Sequence, residues 1–386
     1  NHRWVISAAL AWLYELFPDK GFRQRIDQWL AEKIDIDQDG QYQERSTSVY
    51  TPVTNRCLLD IADKMKYDHL YDAVRRNLDM TLYLVHANGE IVTETSRRQD
   101  KYLPSNMAKY FHAYNYMALL DKDSRYAGMV SFILETVLMS DLHYMLPILL
   151  DNPALLATLP SSEPIPVNYH KHFTHSDMVR IREGSVDMSI ITDNATVFTF
   201  FKGDAALEAL RISSAFFGKG QFLSQEMEKQ GDTYLLTATM HGPYYQPLPK
   251  EKIPAHTDAW AVVPRTEREQ SEVQALTYKV FITPAKGRAN LRIEVDGPEN
   301  LPVALELGFR PGGSLAGVEP KRGASGTFLA KNGEWVLYRN GKDTIRVGPG
   351  ALVHKWTQLR GALPKLQADC VYFTGYAPCR FEFTIE

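Results

Sequence analysis

The chain has 386 residues, 44% of them hydrophobic and 23% charged, which suits a folded protein with room for two hydrophobic cores and excludes disordered, collagen-like and low-complexity classes. With 43 Lys and Arg against 46 Asp and Glu the formal charge is −3, so no global electrostatic bias points to nucleic acid or an anionic membrane surface. Aromatic residues make up 11%, including 20 Tyr, a composition that suits both β-sandwich packing and clefts in which sugars stack.

Residue 1 is Asn, and the spacing of Val5, Ala8, Ala9, Trp12, Leu13 and Leu16 predicts a helix that begins almost at once. No charged and apolar leader precedes it, so a signal peptide is not visible, and the chain is expected to start inside a domain with sequence upstream. Phe22, Ile26, Trp29, Leu30 and Ile34 make a second stripe. Leu58, Ala62 and Met65 make a third, with Thr51-Pro52 expected as its cap and first-turn proline. Val74, Leu78, Leu82 and Val85 follow, with Asn88-Gly89 as a left-handed stop signal. Met107, Tyr110, Phe111, Tyr114 and Met117, then Val130, Leu134, Val137 and Leu138, bring the total to about six amphipathic helices, read as stacked antiparallel pairs over residues 1–150. The longest apolar stretches, such as Met145 to Leu150, fall far short of a membrane span.

The Pro-rich stretch Pro153 to Pro166 lies in an expected linker, 151–176, after which the period becomes two. Asp177 to Arg182, Thr196 to Lys202, Leu207 to Ser213, Tyr234 to Met240, Leu276 to Thr283, Leu291 to Val295, Val303 to Phe309 and Arg380 to Ile385 read as strands. Turns such as Asn332-Gly333 and Asn340-Gly341 separate them. About a dozen strands without intervening helices imply a large antiparallel β-sandwich over 177–386. Cys57, Cys370 and Cys379 form neither a disulfide framework nor a metal spacing, although Cys370 and Cys379 could pair across a terminal hairpin.

Three clusters carry more polar groups than packing needs: Asn1-His2-Arg3-Trp4; Asp39-Gly40-Gln41-Tyr42-Gln43-Glu44-Arg45-Ser46 through Tyr50; and Glu94 through Ser96-Arg97-Arg98-Gln99-Asp100 to Tyr102, followed by Tyr110, His112 and Tyr114. All sit at helix starts or interhelix loops, where a bundle of hairpins places them on one rim. Singly, each has a plain structural reading: His2 as a surface residue, Tyr50 as a staple for the next helix, Arg97-Arg98 as a solvated pair.

The order of helical hairpins and then a β-sandwich, together with Asn1-His2 and the Gly-x-x-x-Glu-x-Ser-x-x-x-Tyr run from Gly40 to Tyr50, resembles the heparinase II/III-like polysaccharide lyases and the related oligoalginate lyases. The resemblance covers essentially the whole chain. It implies an (α/α) toroid, incomplete here, followed by a large antiparallel β-sandwich. A full toroid has more helices than the chain supplies, which agrees with missing upstream sequence. It also implies β-elimination on an acidic, uronate-containing polysaccharide or oligosaccharide, in a bacterial periplasm or outside the cell, without cofactor. Such a reaction must neutralise the sugar carboxylate, remove the C5 proton and protonate the leaving O4. Carried over residue by residue, Asn1 and His2 would bind the carboxylate and Tyr50 would act as base or acid, its pKa lowered by a cation such as Arg45 or Arg97. Glu44 would orient Arg45 or His2, and Arg97 and Arg98 would contact substrate anions, with Gln41, Tyr110 and His112 also lining the site. Many family members carry a Gly-His-x-His-Asp-type segment early in the β-domain. Here Ser214-Ala215-Phe216-Phe217-Gly218-Lys219-Gly220-Gln221-Phe222 has no histidine, which leaves His241 with Tyr244 and Tyr245, or His170, His172 and His175, as substitutes.

His170-x-His172 with His175 also suggests a divalent metal, although the linker location favours a surface loop. Asp35, Asp37, Asp39 and Gly40 imitate the start of a calcium loop, but Ser46 stands where the bidentate Glu is needed. Two functions compete with the lyase. One is a glycoside hydrolase using Glu44 with Glu94 or Asp100. The other is a carbohydrate-binding protein without catalysis.

Overall fold

The computed structural model describes residues 2–254 and 260–386. The chain divides into two compact units, one of Asn1–Ile191 with Phe198–Glu208 and one of Thr192–Val197 with Ala209–Glu386. Helices fill most of the first unit: α1 (His2–Leu16), α2 (Lys20–Ala31), α3 (Tyr50–Met65), α4 (Tyr71–Thr81), α5 (Phe111–Asp121), α6 (Ser124–Thr136) and α7 (Met145–Asp151). Their apolar stripes close on one core that includes Trp4, Ile26, Leu58, Val74, Tyr114 and Ile133. Side-chain caps fix two starts. Asp19 accepts from Gly21 N–H at 2.6 Å ahead of α2, and Asp123 accepts from Arg125 and Tyr126 N–H ahead of α6.

Two local expectations change. Helix α3 begins at Tyr50, one residue before the expected cap Thr51, because Ser46 supplies the acceptors upstream. Its Oγ takes Tyr50 N–H at 3.2 Å and its carbonyl takes Thr51 N–H at 2.9 Å. Asn88-Gly89 does not end a helix. Helix α4 already stops at Thr81, and Val85 bridges Ile91 in a small hairpin whose tip is Asn88-Gly89, with Gly89 at φ +89°.

Four strands also belong to the first unit: β1 (Asn168–Phe173), β2 (Met178–Glu183), β3 (Val186–Ile191) and β4 (Phe198–Lys202). They pair antiparallel in sequence order, and β1 falls inside the stretch read as a linker. Strands β2 and β3 are buried almost throughout, although Arg180 and Asp187 lie on them. These charges meet a third from the hairpin. Asp187 Oδ1 lies 2.8 Å from His86 Nδ1 and 2.9 Å from Arg180 Nη1, while His86 Nε2 lies 3.2 Å from Glu94. The imidazole also stacks on Phe201 at 3.7 Å. Burial alone would lower the His86 pKa, but the two carboxylates outweigh it and raise it to about 9. Burial opposes ionisation of Asp187 and Glu94, and the neighbouring cations reverse that and hold both below the usual carboxylate range.

Strand β5 (Ala205–Ser214) passes from the first unit into the second. There β6 (Glu226–Gln230), β7 (Thr233–Tyr245), β8 (Gln270–Ala285), β9 (Arg288–Asp296), β10 (Leu301–Phe309), β11 (Ser314–Ala316), β12 (Val318–Pro320), β13 (Thr327–Ala330), β14 (Val336–Asn340), β15 (Asp343–Gly348), β16 (Asp369–Ala377) and β17 (Cys379–Ile385) follow. They form two sheets in the orders β5-β10-β16-β13-β12 and β11-β14-β15-β17-β9-β8-β7-β6, and β13 runs parallel to β16. Phe373 meets Phe383, and Phe309 meets Tyr338, between the inward faces of the two sheets. Cys370 and Cys379 are free thiols, as is Cys57. Cys370 sits opposite Gly308 on β16, while Cys379 sits opposite Val295 on β17, so the terminal hairpin does not juxtapose them. Among the described residues no helix is long and apolar enough to cross a membrane.

Candidate active-site rim

Two loops of the first unit, α2 to α3 and α4 to α5, carry most of the expected site residues. The first is locked by its own carboxylates. Asp37 Oδ1 accepts from Gly40 N–H at 3.0 Å and Gln41 N–H at 2.8 Å, and its Oδ2 takes the Ser176 hydroxyl at 2.7 Å. Asp39 takes the N–H groups of His175 and Ser176 at 2.7 and 2.9 Å. Gly40, at φ +103°, lies so close to helix α4 that a Cβ would fall 2.1 Å from the Arg76 carbonyl oxygen. The resemblance to a calcium loop therefore has another cause: Asp37 and Asp39 are acceptors for N–H and O–H donors. Among the described residues no group of three or more His, Cys, Asp or Glu is gathered for a metal, and His170 and His172 lie exposed on β1.

Asp100 joins the two loops. It is 1% exposed, and its carboxylate accepts from Ser96 Oγ at 2.5 Å, Ser48 Oγ at 3.0 Å and Ser48 N–H at 3.2 Å. Arg97 N–H donates to the Glu44 carbonyl at 3.1 Å, and Lys109 Nζ donates to the Ser48 carbonyl at 3.1 Å. Tyr110, 1% exposed, donates its hydroxyl to the Thr47 carbonyl at 2.6 Å, so it positions the loop from below. Gln41 is likewise buried, with its N–H on Asp37.

This frame brings Tyr50, Glu44, Arg98 and Gln99 together. Gln99 Nε2 donates to the Tyr50 hydroxyl oxygen at 3.0 Å, the Arg98 guanidinium carbon lies 5.2 Å from the Tyr50 ring centre, and Arg98 Nε lies 3.6 Å from Glu44. The Gln99 hydrogen bond, and after it Arg98, lower the Tyr50 pKa by favouring the phenolate. Glu44 lies within ion-pair distance of Arg98, a partner the sequence reading did not name beside Arg45 and His2, and the groups that lower the Tyr50 pKa are Gln99 and Arg98, where a cation such as Arg45 or Arg97 was expected. Arg45 occupies the left-handed region at φ +51°. Gln99 stood in the sequence cluster beside Arg98 but was not assigned a role.

From Tyr50 an open stripe runs along α3 through Val53, Arg56, Asp60 and Lys64 at helical spacing. A cavity of about 290 Å³ lies against Pro52, Val53, Arg56, Lys109 and His112. A larger one of about 660 Å³ lies against Trp12, Arg56, Asp60, Lys64, His112 and Asp151. His112, 4% exposed, lines both, and burial, followed by Arg56, lowers its pKa to about 4, which keeps the imidazole neutral. Lys64 is committed to Glu15 at 2.8 Å and Asp151 at 3.4 Å. Asp60, Asp151 and the paired Lys64 make the larger cavity poorly suited to an anion, while exposed Arg56 borders both cavities.

Asn1 lies outside the described residues. His2 is exposed at the start of α1. His241 and Tyr244 are exposed on β7 of the second unit. The hydrolase candidates are occupied: Glu94 faces His86 at 2% exposure, and Asp100 is bound by two serines. Neither offers a free carboxyl across a cleft from Glu44.

No protein-family model and no curated protein sequence matches the chain. Solved structures do. A mutant of heparan sulfate lyase HepC from Pedobacter heparinus superposes with a TM-score of 0.58 at 10% identity, covering 100% of this chain and 59% of that one. HepC without the mutation gives 0.56 at 10% identity with the same coverage. The chondroitin AC lyase of Streptomyces coelicolor A3, in complex with chondroitin sulphate, gives 0.48 at 10% identity over 97% of this chain and 58% of that one. The chain thus spans about three-fifths of the length of these structures, and at this identity what it shares with HepC is a polysaccharide-lyase fold of helices followed by two large, mostly antiparallel sheets.

Proposed function

We propose that this chain carries the reaction centre of a lyase that cleaves an acidic, uronate-containing polysaccharide or oligosaccharide by β-elimination. The observation that carries this reading is the Tyr50 hydroxyl, held by Gln99 beside the Arg98 guanidinium at the head of α3, in a chain with the HepC fold. A phenol with a lowered pKa, half-buried at a cationic rim, is suited to take a weakly acidic carbon-bound proton. Tyr50 as phenolate accepts the C5 proton, the electron pair forms the C4–C5 double bond, the C4–O4 bond breaks, and the departing O4 takes the proton from the Tyr50 hydroxyl so formed, which restores the phenolate. Asn1 and His2 neutralise the sugar carboxylate, so that negative charge building at C5 is stabilised. Arg97 and Arg98 hold substrate anions, and Glu44 holds Arg98 in place. A periplasmic or secreted setting in a bacterium suits such a substrate.

Incubation with heparan sulfate, chondroitin sulfate, hyaluronate and alginate is the direct test. Ultraviolet-absorbing unsaturated ends are expected from at least one polymer, and none from any of them, with the fold intact, overturns the reading. The pH profile tests the base. Gln99→Ala and Arg98→Gln each remove a group that stabilises the phenolate, so the ascending limb of kcat/KM moves to higher pH in both, further in the Gln99 variant. Limbs that stay in place remove Tyr50 as the base.

A further inference from the structure

We infer that the second unit carries a separate sugar-stacking subsite for an anionic glycan, built on the loop between β5 and β6 and the end of β7. The choice of ligand rests on the lyase reading above; the geometry does not.

The loop is rigidly held from below. The Tyr278 hydroxyl lies 2.5 Å from Ser214 Oγ and donates to the Gly220 carbonyl at 2.7 Å, and Ser214 N–H donates to the same carbonyl at 2.9 Å. At its tip Phe217 adopts φ +47°, a region a bulky side chain rarely occupies, and the residue is 42% exposed. A core-packing role does not explain an aromatic residue in that conformation at the surface. The ring lies directly on Gly242, where a Cβ would fall 2.2 Å from it, and meets Tyr244 at 5.3 Å and 76°. Between Gly242 and Tyr244 the β7–β8 register shifts, and this irregularity coincides with the turn of Tyr244 and Tyr245 to the surface, 54% and 46% exposed.

Phe217 and Tyr244 therefore form a perpendicular aromatic corner, against which the C–H face of a pyranose ring can pack. A cation flanks it. Exposed Arg360 brings Nε to 3.8 Å from the position a Gly218 Cβ would take, next to Phe217. A neutral sugar needs the corner alone, whereas a guanidinium group beside it suits carboxylate or sulfate substituents.

Retardation in affinity gels tests this, with the full chain in a Tyr50→Phe background so that polymer is not consumed. Heparan sulfate, chondroitin sulfate and alginate serve as probes and dextran as the neutral control. At least one acidic polymer retards the protein and dextran does not. Phe217→Ala and Tyr244→Ser each weaken retardation by roughly three- to tenfold, the range of an aromatic contact. Arg360→Gln weakens it and flattens its dependence on salt. Tyr244 is exposed, so its variant keeps the test open if Phe217→Ala fails to fold. No retardation by any acidic polymer, equal retardation by dextran, or folded Phe217 and Tyr244 variants that bind like the parent would overturn the inference. Product formation by the chain with Tyr50 intact is read separately. Retardation lost in these variants without unsaturated ends in any digest keeps this subsite and removes the lyase reading, while unsaturated ends with unchanged retardation do the reverse.

Discussion

Tyr50→Phe is expected to lower kcat on the cleaved polymer by about 10²–10⁴-fold while leaving KM nearly unchanged, the loss typical of a positioned proton-transfer group. The substitution removes one oxygen and keeps the ring on which Arg98 packs, so substrate anions still meet Arg98, held by Glu44. Gln99 loses its acceptor at the rim, where water replaces it at little cost. Initial rates from the unsaturated product and affinity-gel retardation on the same polymer separate the two effects. A kcat close to that of the parent protein would show that Tyr50 shapes the rim without moving a proton. A large rise in KM with kcat intact would make it a binding residue only.

The second large effect is on stability. Asp187→Ala leaves His86 and Arg180 buried beside each other without the carboxylate that now lies 2.8 and 2.9 Å from them. Breaking such a buried pair from one side costs about 3–5 kcal/mol, a large part of the stability of an ordinary domain. Chemical denaturation followed by near-ultraviolet circular dichroism should show the first unit unfolding at much lower denaturant, and a loss under about 1 kcal/mol would contradict the buried cluster. Its pH dependence has two edges. His86 is raised to about 9, so its contribution is full below the unfolded histidine pKa, near 6.5, and is lost as pH rises through about 9. Asp187 and Glu94 are lowered, so theirs is full above the unfolded carboxylate range, about 4, and is lost in acid. In Asp187→Ala the acid edge weakens and the alkaline one recedes toward neutrality.

How legible each part was in the sequence follows from which faces meet water. Helices α1 to α4 and α6 announce themselves because each keeps a wet side, so that apolar residues recur at helical spacing, whereas α5 is covered along most of its length. Strand β3 was not among the expected strands although Val186-Asp187-Met188-Ser189-Ile190 alternates; its polar face is buried as well, where Asp187 meets His86 and Arg180 instead of water. The same burial concealed the partnership of His86 with Asp187, since neither local spacing nor turn chemistry links residues so far apart along the chain. At the rim, the run from Gly40 to Tyr50 and the run from Glu94 to Tyr102 were both visible, and Asp100 does bring them together. The specific pairing of Glu44 with Arg98 was not visible, because it depends on the crossing of two loops. Tyr110 and Gln41 looked like substrate contacts by composition alone, and burial gives them a supporting place.

The Asp100 anchor also bears on how such a site can diversify. One carboxylate, gripping serines on both sides, fixes where the two loops meet, while Arg97, Arg98 and Gln99 project from the short stretch between Ser96 and Asp100. Side chains in that stretch can be exchanged without disturbing the hinge points on either side. Because Gln99 and Arg98 both contact Tyr50, a change of preferred polymer through either position in the proposed lyase also alters the Tyr50 hydroxyl, so recognition and reactivity change together.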